Sequence, residues 1–115
     1  MVLNQEMRED CLILRPVGRL DNSSSPELDR AVSDQVQAGV QRIVFDFSSM
    51  DYISSAGLRV VLLAGKRLRA AGGRMALAGM RDLVQEVFDM SGFITLFPAA
   101  VTTDEALQLV GRRSG

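Results

Sequence analysis

Apolar and polar residues follow one another along this chain in patterns that predict strands and helices. Two apolar stretches, residues 2–8 and 11–18, flank the polar turn Arg8-Glu9-Asp10, and this arrangement predicts a β-hairpin. Three further strands are predicted at residues 42–47, 74–78 and 93–97. The stretch at 42–47 is apolar on both faces, which is typical of a strand in the centre of a sheet.

Helical spacing of apolar residues predicts helices at residues 25–38, 55–71, 81–90 and 103–110. The first helix begins at a capping box of Ser24 and Glu27, or at Ser25 with Pro26 in the first helical position, and ends at Gly39. In the third helix we expect four side chains to face the core: Leu83, Val84, Val87 and Phe88. Thr102 or Thr103 is expected to cap the last helix.

Strands and helices that alternate after an opening hairpin predict the α/β class. We expect a mixed central sheet of 4–5 strands, largely parallel in its centre, packed with about four helices. A chain of 115 residues is long enough for one hydrophobic core and short of two, so residues 1–115 are predicted to form a single domain.

The run from Asp46 to Arg59, Asp-Phe-Ser-Ser-Met-Asp-Tyr-Ile-Ser-Ser-Ala-Gly-Leu-Arg, carries the clearest functional signal. Ser54 and Ser55 lie where a helix begins, and unpaired backbone N–H groups together with the helix dipole favour a phosphate on a hydroxyl there. Serine is equally a preferred N-cap residue, so the same spacing also fits a purely structural role. From the spacing alone both interpretations stay open.

Composition narrows the classes of function. A net charge of −1 gives no electrostatic basis for binding nucleic acid or an anionic membrane, and no stretch reaches the roughly 18 apolar residues of a membrane span. Without histidine, the Ser-His-Asp and Cys-His catalytic arrangements are excluded. The one cysteine, Cys11, excludes an internal disulfide and is predicted to be a small core or edge residue. We therefore expect no enzymatic activity, metal or cofactor, no membrane insertion, and a cytoplasmic location.

Asp21, Asp46 and Asp51 raise the alternative of a receiver domain, which is phosphorylated on an aspartate beside a metal ion. Such a domain needs paired acids on its first strand and a suitably placed lysine. This chain has no paired acids there, and its only lysine, Lys66, lies in a predicted helix. The pattern disfavours this alternative.

Four segments in register resemble STAS domains, in particular the single-domain anti-sigma factor antagonists. They are Val44–Leu62, which contains the run described above, Val17-Gly-Arg-Leu-Asp21, Ala71-Gly-Gly-Arg-Met-Ala-Leu-Ala78 and Val87-Phe-Asp-Met-Ser-Gly-Phe93. They occur in the order of the family and span roughly residues 8–110. The resemblance implies the STAS fold.

The resemblance also implies a regulatory cycle. The unmodified protein binds an anti-sigma factor, which is a serine kinase of the histidine-kinase-like ATPase type, and thereby frees a sigma factor. Ser55 matches the phosphorylated serine of the family. Ser54 and Ala56 replace the Asp and the Ser or Thr that flank it in the best-known members, which keeps Ser54 as the less favoured acceptor. Phosphorylation separates the two proteins, and a PP2C-type phosphatase restores the serine.

The resemblance further implies a partner-binding surface around this serine. Asp21 matches an aspartate close to the acceptor loop, and we expect it at the same edge of the sheet as Ser55, because the carboxyl ends of parallel strands lie on one side. Asp21 can equally serve to organise its turn with Asn22. Asp46 is a weaker candidate, since it can hydrogen-bond backbone in the Ser48-Ser49 turn. The expected partner-binding residues are Asp21, Ser54, Ser55, Ala56, Gly57, Leu58, Met90 and Phe93.

Two alternative functions follow from other uses of STAS domains. One is an accessory subunit of a lipid-transport, anion-transport or ligand-sensing complex. The other keeps the partner switch but gives it an output other than a sigma factor, such as secretion. A neighbouring kinase or phosphatase gene would favour the switch, and a permease operon would favour transport.

Overall fold

A central β-sheet organises the structure, a computed structural model that describes residues 1–92 and 97–111. Its strands are β1 (Val2–Arg8), β2 (Cys11–Leu20), β3 (Arg42–Asp46), β4 (Met50–Ile53), β5 (Arg74–Ala78) and β6 (Ala99–Ala100). The helices are α1 (Ser25–Gln37), α2 (Ser55–Ala70), α3 (Asp82–Ser91) and α4 (Thr103–Val110). The strand order is β1-β2-β3-β5-β6, with β4 paired to β2 outside this path.

The sheet begins with the predicted hairpin. β1 and β2 pair antiparallel from Val2 opposite Val17 to Arg8 opposite Cys11, and the turn places Glu9 and Asp10 at positive φ. The other pairings, β2 with β3 and β4, β3 with β5, and β5 with β6, are parallel. The mixed α/β fold with a largely parallel centre is therefore confirmed, and the described residues form six strands where about 4–5 were expected.

Side chains on the two faces of the sheet enter different layers because successive residues of a strand point to opposite sides. On one face Leu14, Phe45 and Leu77 belong to the main core, which α1, α2 and α3 cover through Leu28, Val32, Val61, Leu68, Val84 and Phe88. On the other face Cys11, Ile13, Val44, Ala76 and Ala78 pack with Ala106 and Val110 of α4. The apolar character of residues 42–47 on both faces follows from this double cover.

Cys11 belongs to the smaller layer, as the sequence predicts. Its side chain is 2% exposed, and burial raises the pKa of its thiol to about 11. A thiol with such a pKa is almost fully protonated at neutral pH, so it behaves as a small apolar residue.

On the edge away from β1, strand β2 pairs with two different strands. Its first half pairs with β3 through Leu12–Leu14, and its second half pairs with β4 through Gly18–Leu20. The register shifts between Gly18 and Arg19, and Gly18 has a φ of +99°, a conformation that favours glycine. This bend directs the carboxyl end of β2 beside the carboxyl end of β4.

The sequence did not predict β4. The sequence indicates a polar turn after the strand at residues 42–47, and the structure shows at residues 50–53 a burial pattern of buried, exposed, exposed, buried, which lacks the alternation typical of a strand. The strand forms because β2 supplies its backbone partners. Ser54 and Ser55 therefore follow a separate short strand, β4, where the sequence indicates only a turn.

Two side-chain expectations were wrong. Leu83 is 69% exposed, so of the four α3 side chains predicted to face the core only Val84 and Phe88 are fully buried, with Val87 half-buried. Ser24 makes no capping hydrogen bond to α1, which begins at Ser25. The strand predicted at residues 93–97 falls mostly outside the described residues, and β6 is formed by Ala99–Ala100.

In the part of the chain that the structure describes, every helix is too short or too polar to cross a lipid bilayer.

Candidate functional site

The two serines at the start of α2 have different environments. Ser54 is the N-cap, and its Oγ accepts a hydrogen bond from the backbone N–H of Gly57 at 3.1 Å. This bond satisfies one of the N–H groups that a helix leaves unpaired at its start. Ser55 is the first helical residue and its side chain is exposed. The geometry thus assigns the capping role to Ser54 and presents the hydroxyl-bearing side chain of Ser55 to solvent.

Asp21 lies at the same edge of the sheet as these serines, as the sequence predicts. Leu20 pairs with Ile53 in the β2–β4 ladder, and the backbone N–H of Ser54 donates to the carbonyl of Leu20 at 2.9 Å. Asp21 and Ser54 are the next residues along these two neighbouring parallel strands. The carboxyl edge of a parallel sheet is the usual place for a functional site in α/β proteins.

The carboxylate of Asp21 organises its own turn. Its Oδ1 accepts hydrogen bonds from the hydroxyl of Ser23 at 2.8 Å and from the backbone N–H groups of Ser23 and Ser24 at 3.1 and 3.2 Å. The hydroxyl of Ser23 is the main cause that lowers the pKa of Asp21, so the carboxylate is ionised at neutral pH. The expected partner within the turn was Asn22, and the observed partners are the two serines that follow it.

Ser24 has a role that the sequence did not suggest. Its Oγ lies 2.9 Å from the carbonyl oxygen of Arg19 and 2.9 Å from the backbone N–H of Asp21, and it is nearly buried. The hydroxyl therefore joins the end of β2 to the turn that leads into α1. Because these bonds occupy the hydroxyl, it does not form the capping box predicted with Glu27.

Arg19 and Tyr52 form an exposed pair beside Asp21, which the sequence reasoning missed. The guanidinium carbon of Arg19 lies 4.2 Å from the centroid of the Tyr52 ring, and its Nε lies 3.8 Å from Oδ2 of Asp21. The two residues are also partners in the β2–β4 ladder. Since β4 was not predicted, nothing in the sequence pattern brought Arg19 and Tyr52 together.

Gly57 positions α2 against the end of β2. It is buried, and a Cβ atom at this position would lie 2.8 Å from both the Cγ and the carbonyl oxygen of Leu20. Its contribution to the site is the close approach of helix and strand. Ala56 is half-buried, and the half-buried Leu58 packs against the main core.

Met90 lies on α3, a helix that packs against β4, and 83% of its side chain is exposed. It is therefore accessible, as a partner-binding residue must be. Phe93, the other residue expected from this segment, lies outside the described residues.

Asp46 is buried in a network of hydrogen bonds within the fold. It is 5% exposed, and its Oδ2 lies 2.8 Å from Nε of Arg15 and accepts a hydrogen bond from Oγ1 of Thr103 at 3.1 Å. Its Oδ1 accepts from the backbone N–H of Ser48 at 3.0 Å, as one of the two expectations for this residue predicted. Burial acts to raise its pKa, but the hydrogen bonds from Ser48 and the ion pair with Arg15 outweigh burial, and the pKa is lowered.

The three aspartates that suggested a receiver domain do not form one site. Asp46 binds Arg15, Asp21 binds its own turn, and Oδ1 of Asp51 lies 2.9 Å from Nη1 of Arg81. Among residues 1–92 and 97–111, no group of three or more His, Cys, Asp or Glu side chains is arranged to hold a metal ion. The carboxyl edge of the sheet instead carries the exposed Ser55 at the start of α2 and the ionised carboxylate of Asp21. The guanidinium group of Arg19, stacked on Tyr52, lies beside Asp21.

Proteins of known sequence and structure share this arrangement of elements. BtrV of Bordetella bronchiseptica, which bears the name of an anti-sigma factor antagonist, is 39% identical over 106 residues, which cover 92% of this chain and 91% of BtrV. The phosphorylated form of Bacillus SpoIIAA is 25% identical, with a TM-score of 0.76 over 95% of this chain and 99% of SpoIIAA.

A crystal structure from Thermotoga maritima has a TM-score of 0.90 at 23% identity, covering 96% of this chain and 95% of that one, and supports the fold. The sequence profile of the STAS domain matches residues 3–106, which include the strands and helices described above except the first residue of β1 and the last part of α4. This chain belongs to the STAS domain family.

Proposed function

We propose that this protein is an anti-sigma factor antagonist that phosphorylation of Ser55 switches off. The observation that carries the proposal is the exposed position of Ser55 as the first residue of α2, beside the ionised carboxylate of Asp21. The names of BtrV and of Anti-sigma F factor antagonist from Paenibacillus polymyxa, 28% identical over 97 residues, support the same function.

In this proposal the chain is a substrate and a binding protein, not an enzyme. The unmodified form binds, in the cytoplasm, an anti-sigma factor of the histidine-kinase-like ATPase type and so releases a sigma factor. The kinase transfers the γ-phosphoryl group of its own ATP to the hydroxyl of Ser55, and supplies the base and the magnesium. A PP2C-type phosphatase then removes the phosphate and restores the binding form.

The position of Ser55 explains how one modification acts on binding without unfolding the domain. A phosphate adds roughly −1.5 to −2 charges at neutral pH, and a helix N-terminus stabilises negative charge. Because the side chain already points to solvent, the added group displaces no core residue. In a complex, by contrast, the dianion would have to lose its water at the interface, which is unfavourable unless a cation meets it.

The different environments of the two serines favour Ser55 as the acceptor. The Oγ of Ser54 is engaged with the N–H of Gly57, so its phosphorylation would disturb the cap of α2. The residues proposed to contact the partner are Asp21, Ser54, Ser55, Ala56, Leu58 and Met90. Gly57 is proposed to hold the helix in place for that contact.

The experiment is co-purification of the kinase from the native cell, followed by phosphorylation with ATP and mapping of the phosphosite. We expect one phosphate on wild-type protein and on Ser54→Ala, and none on Ser55→Ala. Ser55→Ala should bind the kinase as wild type does, while Ser55→Asp should bind more weakly, although one carboxylate carries less charge than a phosphate. A phosphate mapped to Ser54, or equal affinities of Ser55→Ala and Ser55→Asp in calorimetry, would contradict the proposal.

A further inference from the structure

Arg19 is a cation at the carboxyl edge, next to Asp21. It stands at the end of β2, and 62% of its side chain is exposed. Its guanidinium group lies over the ring of Tyr52 at 4.2 Å, and its Nε is 3.8 Å from Oδ2 of Asp21. An arginine over an aromatic face at this distance is a cation–π pair.

The contacts that hold Arg19 in this position are weak ones. A separation of 3.8 Å from Asp21 exceeds the length of a hydrogen bond, and ion pairs in contact with water contribute little. The hydrogen bonds that Asp21 accepts come from Ser23 and Ser24 of its own turn, so the turn keeps its shape without Arg19. The side chain of Arg19 is thus able to move without loss of the local fold.

A phosphate on Ser55 would change the charge balance around Arg19. Backbone pairing connects the two positions, since Arg19 pairs with Tyr52, Leu20 pairs with Ile53, and the N–H of Ser54 donates to Leu20. The phosphate would enter an edge that already carries the ionised carboxylate of Asp21. A guanidinium binds phosphate through two parallel hydrogen bonds, and this interaction is stronger than a contact with an aromatic ring in water.

We propose that phosphorylation of Ser55 draws Arg19 away from Tyr52 and onto the phosphate. This inference rests on the proposed phosphorylation of Ser55. It adds that Arg19, in the same chain, binds the phosphate. The movement would uncover the ring of Tyr52 and place a cation between the phosphate and Asp21. The modification would then change the shape of the binding surface as well as its charge.

Tyr52 provides a specific signal for the test, because the chain contains one tyrosine and no tryptophan. Phosphoserine is incorporated at position 55 during synthesis of the full chain, so that no kinase is needed. Tyrosine fluorescence and the NMR signals of the Tyr52 ring are then compared with and without the phosphate, in wild type and in Arg19→Gln. We expect a clear change on phosphorylation in wild type and a change at least several-fold smaller in Arg19→Gln.

A second measurement follows the phosphate itself. Its second pKa, read by phosphorus NMR, should lie below the usual value of about 6 in wild type and return towards that value in Arg19→Gln. Arg30→Gln is the matched control, because Arg30 is an exposed arginine far from Ser55. Its neighbour on α1, Asp29, binds Arg67, which lies about three helical turns after Ser55 on α2. It should leave both signals unchanged.

Arg59 offers the competing explanation, since it is exposed one helical turn after Ser55 on α2. If Arg59→Gln raises the pKa of the phosphate and Arg19→Gln does not, the proposal is overturned. It is equally overturned if phosphorylation changes the Tyr52 signals as much in Arg19→Gln as in wild type. Failure of a kinase to label Ser55 would instead count against the proposed function, because the phosphate in this test is installed without one.

Discussion

Two aspartates at the carboxyl ends of parallel strands of this sheet have opposite kinds of surroundings. Asp46, at the end of β3, is 5% exposed and is bound by Arg15 of β2, by Thr103 of α4 and by the backbone of Ser48. Asp21, just after β2, is bound by Ser23 and Ser24 of its own turn and stays partly exposed. The first joins distant parts of the chain, and the second orders only its neighbours.

This difference indicates that Asp46 contributes mainly to the stability of the fold and Asp21 mainly to partner recognition. Arg15 and Thr103 lie 31 and 57 residues from Asp46 in the sequence, so the carboxylate fixes strands β2 and β3 and helix α4 to one another. Asp21 holds a turn whose outer side is open to solvent, beside the proposed phosphorylation site. We therefore expect changes at Asp46 to act mainly on folding, and changes at Asp21 mainly on binding.

The largest expected effect is that of Asp46→Ala on stability. The change removes a buried carboxylate that Arg15, the hydroxyl of Thr103 and the backbone N–H of Ser48 share. We expect a loss of about 2–4 kcal/mol in the free energy of unfolding, measured by urea denaturation. If Asp21→Ala destabilised the domain as much as Asp46→Ala, the proposed contrast between the two aspartates would be wrong.

The next effect is that of Asp21→Ala on partner binding. We expect roughly a tenfold loss of affinity for the anti-sigma factor, measured by calorimetry on samples whose folded fraction is known. Asp21→Asn is the matched variant, because its side-chain oxygen can still accept the bonds from Ser23 and Ser24. If Asp21→Asn binds as wild type and only Asp21→Ala binds weakly, the turn matters and the charge does not.

Ser54 and Ser55, at the start of α2, show the same contrast between a residue that stabilises the fold and a residue proposed to act in binding. Ser54→Ala removes the cap from Gly57 and should lower the free energy of unfolding by about 1 kcal/mol. Ser55→Ala, at an exposed position, should change it by less than about 0.5 kcal/mol. Thermal and urea unfolding of the two variants side by side would check this, and the reverse order would show that Ser55 is the structural serine.

The smallest effect concerns pH. Because the pKa of Asp46 is lowered in the folded state, the stability that its charge contributes is present above the ordinary carboxyl pKa of about 3.9 and is lost as the pH falls through the lowered pKa. The difference in unfolding free energy between wild type and Asp46→Asn should shrink by under about 1 kcal/mol across this acid range, because a protonated carboxyl keeps part of its hydrogen bonds. A difference that stays constant down to the acid end would mean that the charge of Asp46 adds nothing.

Local sequence patterns predicted most of the fold. The hairpin, β5 and α4 lie where expected, and Thr102 caps α4 by accepting a hydrogen bond from the N–H of Glu105. Each of these features depends on residues that are near in sequence, such as a turn, an alternation of side chains or a cap. The shared edge of Asp21 and Ser55 followed from the same reasoning, because parallel strands end on one side.

Features that depend on distant partners were not predictable. β4 forms because β2 bends at Gly18 and its second half pairs with residues 50–53. This pairing also brings Arg19 into contact with Tyr52. The network around Asp46 needs three separate elements in place before it can form. Leu83 belongs to an apolar stripe wider than the face that α3 buries, and the spacing does not tell which side of the stripe stays outside.

The close approach at Gly57 has a consequence for attempts to engineer this domain. Replacing a glycine by alanine inside a helix usually raises stability, by about 0.5–1 kcal/mol. At position 57 the added methyl group would meet the carbonyl oxygen of Leu20 at 2.8 Å, the same oxygen that accepts the bond from Ser54. A substitution that is favourable on the exposed side of α2 would therefore be unfavourable here, and a sequence library that varies this helix should keep glycine at position 57.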